Sequence, residues 1–221
     1  MGLRAKDRLH RLLGLTAGVV IGVVAFDLLP EIFESIGHGV SAREAMLALV
    51  AGFLLFHIIE KSILIHHSQE RDYEVHHHQH VGIASALALS GHSFLDGLGI
   101  GLGFQAGTGV GIAVAIAVIA HDFSDGLNTV TLMLVNNNNR RRALAFLLVD
   151  ALAPVAGAIV GTLVSITPGG LTLYLGFFAG FLLYIGASEI LPEAHSKHSS
   201  YATIALTILG AAFMFFVTRY A

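Results

Sequence analysis

Cysteine is absent from the 221 residues, so neither disulfides nor thiolate metal ligands are available to this chain. Charge is nearly as scarce. Asp, Glu, Lys and Arg make up 12% of the residues and hydrophobic types 55%, against roughly 25% charged in a soluble globular domain. That balance excludes a soluble fold and predicts a membrane protein. A cleavable leader is missing too: the basic start MGLRAKDRLHR runs into about 20 apolar residues without a small-residue cleavage site, which predicts a retained span. No glycine-rich nucleotide-binding motif occurs, which excludes direct drive by ATP, and no H-E-x-x-H zinc-protease pattern occurs either.

What is present is a series of long apolar stretches. They predict seven membrane helices at about 12–33, 45–65, 81–105, 110–135, 143–166, 170–192 and 199–218. A β-barrel would alternate in polarity over segments of roughly 10 residues, whereas LLGLTAGVVIGVVAF and ALAPVAGAIVGTLVSI are apolar on every face. The expected fold is all-α, a polytopic membrane helical bundle forming a single domain over 1–221. With the N-terminus in the cytoplasm, Arg4, Lys6, Arg8, Arg11, Lys61, Arg71, Arg140, Arg141, Arg142 and Lys197 fall inside, and only Arg43 and Arg219 fall outside. The C-terminus is therefore expected outside, and 66–80 is expected as a cytoplasmic loop.

Into this apolar background GHSFLDGLG (91–99) and AHDFSDGLN (120–128) place the same pattern twice, His-x-Phe-x-Asp-Gly-Leu. Residues i and i+4 share a helix face about 40° apart, with i+1 at its edge. His92, Ser93 and Asp96 thus form one cluster, and His121, Asp122 and Asp125 another. The short QAGTG link near 105–109 makes the two helices antiparallel neighbours, with each motif near mid-span. An ionised aspartate at mid-membrane costs on the order of 2.5–3.5 kcal/mol, so three cost roughly 8–10 kcal/mol uncompensated. A divalent cation offsets this directly, and imidazole with carboxylate suits zinc, iron(II), manganese or a cadmium-like ion rather than copper(I). Gly97, Gly99, Gly101 and Gly103, alternating after the first motif, predict close approach of a neighbouring backbone.

A second repeat is DLLPE (27–31) at the end of the first span and EILPE (189–193) at the end of the sixth. The two copies lie near opposite membrane faces, an inverted repeat of the kind that alternating-access transporters use. With these pieces together the chain resembles the ZIP family of divalent-metal transporters. HSFLDGLGIGLGF resembles the family's fourth-helix signature, HDFSDG its fifth, and DLLPE and EILPE the ends of its second and seventh. The resemblance implies a three-plus-two-plus-three bundle with a two-metal site between helices four and five, the family's first helix being missing here. It implies that His92, His121 and Asp125 hold the primary ion, while Ser93, Asp96 and Asp122 serve a second with Asp125 bridging. This chain has Ser93, Leu95 and Ser124 where the family favours Asn, Pro and Pro, and Ala153 where many members carry Glu before the proline at Pro154. Asp150, on nearly the same face, stands in as a metal ligand.

Outside the motifs, Asp27, Glu31, Glu189 and Glu193 are candidate residues for the mouths of the ion pathway. Glu60 and Lys61 are expected to be structural, with Lys61 snorkelling, and His57 to make an interior hydrogen bond. His66, His67, His76, His77, His78 and His80 form a tract suited to weak metal buffering. The expected function is passage of a divalent cation, zinc foremost, across the cell membrane towards the cytoplasm. The competing readings are a seven-helix intramembrane zinc-dependent hydrolase and a non-transporting metal sensor. Expected partners are the metal ion as substrate, membrane lipids contacted by Arg140–Arg142 and a second copy in a homodimer, with no nucleic acid.

Overall fold

A computed structural model of the chain describes residues 3–37, 39–70, 79–196 and 200–220. Helices account for every regular element among the described residues: α1 (Leu3–Val23), α2 (Leu29–Ser35), α3 (Ala42–Glu70), α4 (Gln79–Ala106), α5 (Thr108–Val135), α6 (Arg140–Leu163), α7 (Pro168–Tyr184), α8 (Leu191–His195) and α9 (Tyr201–Tyr220). Short π-helical stretches at Val24–Leu28 and Ile185–Ile190 join α1 to α2 and α7 to α8. Seven helical units among the described residues are long and apolar enough to cross a membrane. The protein is an integral membrane helical bundle.

The helices outrun the apolar stretches because their ends are fixed by polar caps, which hydropathy does not register. Ser41 and Glu44 close a reciprocal capping box at the start of α3, with the Ser41 N–H donating to Glu44 Oε2 at 2.8 Å and the Glu44 N–H to Ser41 Oγ at 3.3 Å. Asn139 accepts from the Arg142 N–H to start α6, and Thr167 from the Gly170 N–H ahead of Pro168 at the start of α7. The expected loop 66–80 is entered by helix at both ends. The α3 backbone stays helical through His66 and His67 to Glu70, and His80 lies exposed in the first turn of α4. His76, His77 and His78 lie outside the described residues, as do the side chains of His66 and His67.

Both LPE repeats sit at the same structural event. Pro30 and Pro192 lack the N–H that a helix would return to Phe26 and Ser188, and their rings crowd those carbonyls. In each case the preceding turn widens to π, and the helix resumes at Leu29 and Leu191. Asp27 and Glu189 lie inside the two widened turns, and Glu31 and Glu193 lie just beyond them. The bent helices pack α1 against α8 and α2 against α7, each π turn against the other's straight portion. That pattern makes them antiparallel, as an inverted repeat requires.

Three of the bundle's main seams are built from reciprocal glycines. A Cβ on Gly18 would strike the Thr207 carbonyl and one on Gly210 the Leu15 carbonyl, between α1 and α9. Gly52 meets Phe177 and Gly180 meets Leu49 between α3 and α7, while Gly97 meets Pro154 and Gly157 meets Phe94 between α4 and α6. Lipid offers no hydrophobic drive between helices, so close backbone approach supplies the packing energy. The α1 and α7 units are the most buried, whereas α3, α6 and α9 turn Leu54, Leu152 and Ile208 among other apolar residues outward. The outer faces of these three helices suit contact with hydrocarbon, while the inner faces of α3 and α6 pack towards the motifs.

Candidate metal centre

Only Gly107, in extended backbone at φ 176°, separates α4 from α5. This one-residue link returns the chain antiparallel and brings the two motifs level. Four side chains converge as a result: His92 and Asp96 from α4, His121 and Asp125 from α5, each offering one ligand atom within 4.8 Å of the others. His92 Nε2 lies 3.3 Å from Asp96 Oδ2 and 3.6 Å from Asp125 Oδ2. His121 Nε2 lies 3.4 Å and 3.8 Å from the same two oxygens. Ligands about 2.0–2.2 Å from a tetrahedral zinc stand roughly 3.3–3.6 Å from one another. The four measured edges have that scale.

The chemistry of the donors agrees with the spacing. His121 is fully buried, and its Nδ1 lies 2.8 Å from the Ala117 carbonyl oxygen one turn back. A carbonyl only accepts, so Nδ1 carries the proton and Nε2 presents its lone pair to the cluster, the arrangement that metal-ligating histidines need. Asp96 is also fully buried. His92 Nε2, Asp96 Oδ1 and Asp125 Oδ2 are sealed from solvent without a hydrogen-bond partner, a costly state for carboxylates in an apolar bundle. A dication at the centre of the cluster would satisfy His92 Nε2 and Asp125 Oδ2. Phe181 from α7 stands edge-on to the His92 ring at 4.9 Å, and Phe56 from α3 at 5.9 Å. Together they form an apolar wall on that side.

Asp96 thus joins the first group rather than the second, a rearrangement of the set that the resemblance implies. Ser93 diverges from His92 by the helical step and faces α6, where its hydroxyl donates to Asp150 Oδ1 at 2.9 Å. Thr129 donates to Asp150 Oδ2 at 3.3 Å. Asp122, whose Oδ1 has no partner, shares with Ser93 and Asp150 a cavity of about 210 Å³ completed by Phe123, Gly126, Leu147 and Ala151. Pro154 has no N–H to return to the Asp150 carbonyl four residues earlier. Ser93, Asp122 and Asp150 therefore form a second polar group beside the first.

The remaining acidic residues divide. Glu60 accepts from Tyr184 and from Lys61 Nζ, the latter at 2.8 Å, and Glu189 interacts with both Glu60 and His92. Asp27 Oδ2 is sealed and unpartnered in its π turn, and Glu31 accepts from Ser35 at 3.4 Å. Glu193 is exposed. His57 corrects an expectation: it is exposed, with its ring edge-on to Tyr184 at 5.6 Å, because the face of α3 that carries it turns outward.

Sequence reasoning missed Thr129 and the two phenylalanines. Thr129 was accessible, since it continues the His121, Asp125 stripe at i+8. Phe56 and Phe181 carry no such signal, because in an apolar helix an aromatic facing the site and one facing lipid look alike.

A family model described as ZIP zinc transporter matches residues 64–218. Over 222 residues, 91% of this chain and 82% of the relative, the sequence is 25% identical to zinc transporter ZupT of Chlorobium luteolum. ZupT of Corynebacterium glutamicum is 26% identical over 219 residues, 91% of this chain and 83% of the relative. A stretch of 103 residues, 46% of this chain, is 30% identical to zinc transporter ZIP10 of Mus musculus, of which the chain spans 12%.

Proposed function

The chain belongs to the ZIP zinc transporter family, and on that premise we propose that it carries a divalent cation, zinc first, through the bundle to the cytoplasm. The observation that carries this reading is the four-residue cluster His92, Asp96, His121 and Asp125, with the His121 lone pair fixed inward by the Ala117 carbonyl. These four hold the ion in transit. Two imidazoles and two carboxylates make a neutral complex with a dication, which removes the charge that the apolar bundle penalises. Ser93, Asp122 and Asp150 offer a second station one helical step away. Asp27 and Glu189, in the two widened turns, with Glu31 and Glu193 beyond them, line the approaches. The inverted packing of the bent helices supplies two related halves that expose the central site alternately to either side.

The wider assignments rest on this reading and on charge. The excess of Lys and Arg in the inside segments sets the N-terminus in the cytoplasm and the C-terminus outside, in the cell membrane. Arg140–Arg142 meet anionic lipid rather than nucleic acid, the exposed apolar faces of the outer helices suit lipid or a homodimer, and residues 1–221 act as one transporter domain. The His66–His80 tract buffers metal near the cytoplasmic mouth. A family described as transporters leaves the intramembrane hydrolase without support, and a sensor remains the reading to beat.

The test is zinc uptake into proteoliposomes loaded with a fluorescent chelator, for the native chain and for His121→Ala with Asp125→Ala. Native uptake that disappears in the variant supports transport through the paired motifs. Zinc bound by the native chain but never delivered to the lumen overturns transport in favour of a sensor.

A further inference from the structure

Each of the two bent helices donates a hydroxyl to a backbone carbonyl that immediately precedes a member of the four-residue cluster. Thr16, on α1, is 4% exposed, and its Oγ1 donates to the Ala120 carbonyl at 3.1 Å, directly before His121. Tyr174, on α7, reaches the Leu95 carbonyl at 3.5 Å, directly before Asp96. A helix carbonyl is already engaged by the N–H four residues on, so neither hydroxyl is needed to satisfy a buried backbone group. What each adds is a directional tie between two helices.

The Thr16 tie joins α1, one of the two bent helices, to α5, which carries His121 and Asp125. Around it α1 and α5 are in contact, and Ala17, Val20, Ala113 and Ala117 on the two helices belong to one buried apolar cluster. Dispersion between such side chains is non-directional and spread over many weak atom pairs. A hydrogen bond is directional: a movement of 1 Å or more takes donor and acceptor beyond bonding distance. Moving α5 by that much relative to α1 therefore breaks the Thr16 bond.

We propose that Thr16 is a latch: its hydroxyl, held on the Ala120 carbonyl, stabilises this arrangement of α5 against α1 and must release each time the ion site changes the side to which it opens. Thr16 is a positioning residue that touches no ion and acts through α5. The proposal rests on the transport reading above. Membrane interhelical hydrogen bonds of this kind average about 0.6 kcal/mol and reach about 1.7 kcal/mol, which sets the bias at about threefold and at most about eighteenfold.

The test compares the native chain with Thr16→Val, which keeps shape and removes the donor, and Thr16→Ser, which keeps the donor. The latch predicts that Thr16→Val changes the maximal zinc uptake rate at least threefold, leaves the equilibrium zinc affinity in detergent within twofold and is reversed in Thr16→Ser. An unchanged uptake rate, or affinity and folded fraction falling in step with uptake, overturns it. Hydrogen exchange over 112–125 in metal-free protein in nanodiscs gives a readout that needs no flux. It is expected to quicken about threefold in Thr16→Val alone, and equal exchange in all three proteins overturns the latch. A native chain that binds zinc without delivering it sinks the transport reading separately, and the exchange result then decides whether Thr16 holds α5 at all.

Discussion

Two glycines six residues apart on α4 are expected to respond to alanine with opposite signs. A Cβ placed on Gly97 would overlap the Pro154 carbonyl and come within 2.6 Å of the Pro154 Cα, whereas one on Gly91 meets nothing within 4 Å. Ordinary carbon–oxygen contact needs more than 3 Å, so Gly97→Ala must push α4 off α6 by roughly 1 Å, and the reciprocal contact of Gly157 with Phe94 prevents the seam from rotating away. Overpacking of this kind costs about 1–3 kcal/mol. Gly91→Ala instead gains helix propensity, between zero and about 1 kcal/mol. At about 2–4 °C per kcal/mol for a chain of this size, Gly97→Ala should lower the apparent melting temperature by about 2–12 °C and Gly91→Ala should leave it unchanged or slightly higher. The chain has neither Trp nor Cys, which rules out tryptophan emission and thiol dyes. The assay is therefore the monodisperse fraction surviving a heat step, read by size exclusion in a fluorescent fusion. Because Ser93 and Asp150 face each other across the same seam, Gly97→Ala should also weaken zinc binding at the second group. Equal melting temperatures for the two variants would refute the claim that glycine contact holds α4 to α6.

Other outcomes follow from the site. Asp150→Asn, or Thr129→Val with the loss of one hydroxyl donor to Asp150, should weaken the second station about 10- to 100-fold, as loss of a supporting partner does in metal sites; titration calorimetry should then show one zinc equivalent retained at the four-residue cluster. Glu189→Gln should slow uptake while leaving zinc affinity at that cluster unchanged, and a matching loss of affinity would place Glu189 in the site rather than on the approach. His121 offers zinc an unprotonated Nε2, so acidification that places a proton there should weaken binding. Zinc titrations at a series of pH values check this, and His121→Ala should flatten the dependence.

Much of the architecture was legible in the chain because burial in lipid is unforgiving. A polar group inside an apolar run must have a partner, so two His/Asp pairs at i, i+4 already identify two faces that have to meet, and the QAGTG link already makes their helices neighbours. The LPE repeats were legible for a similar local reason: a proline without its N–H disturbs the same turn wherever it falls, and here it places Asp27 and Glu189 in matching π turns. Hydropathy registers only the apolar part of a helix, which is why 66–80 looked like an unbroken loop while α3 runs to Glu70 and α4 starts at Gln79.

The sequence by itself determined the seven helices, the two motifs and the faces that carry them, because each of these depends on residues within two turns of one another. Only the tertiary structure decided the partnership of each side chain. Asp96 joins His121 and Asp125, Ser93 leaves its own motif for Asp150 and Thr129, and Thr16 reaches α5 across 104 positions of sequence. Neighbouring residues on a helix diverge by about 100°, so which of two adjacent helices each one meets is set by how the backbones cross, and that is fixed by glycine contacts between segments far apart in the chain.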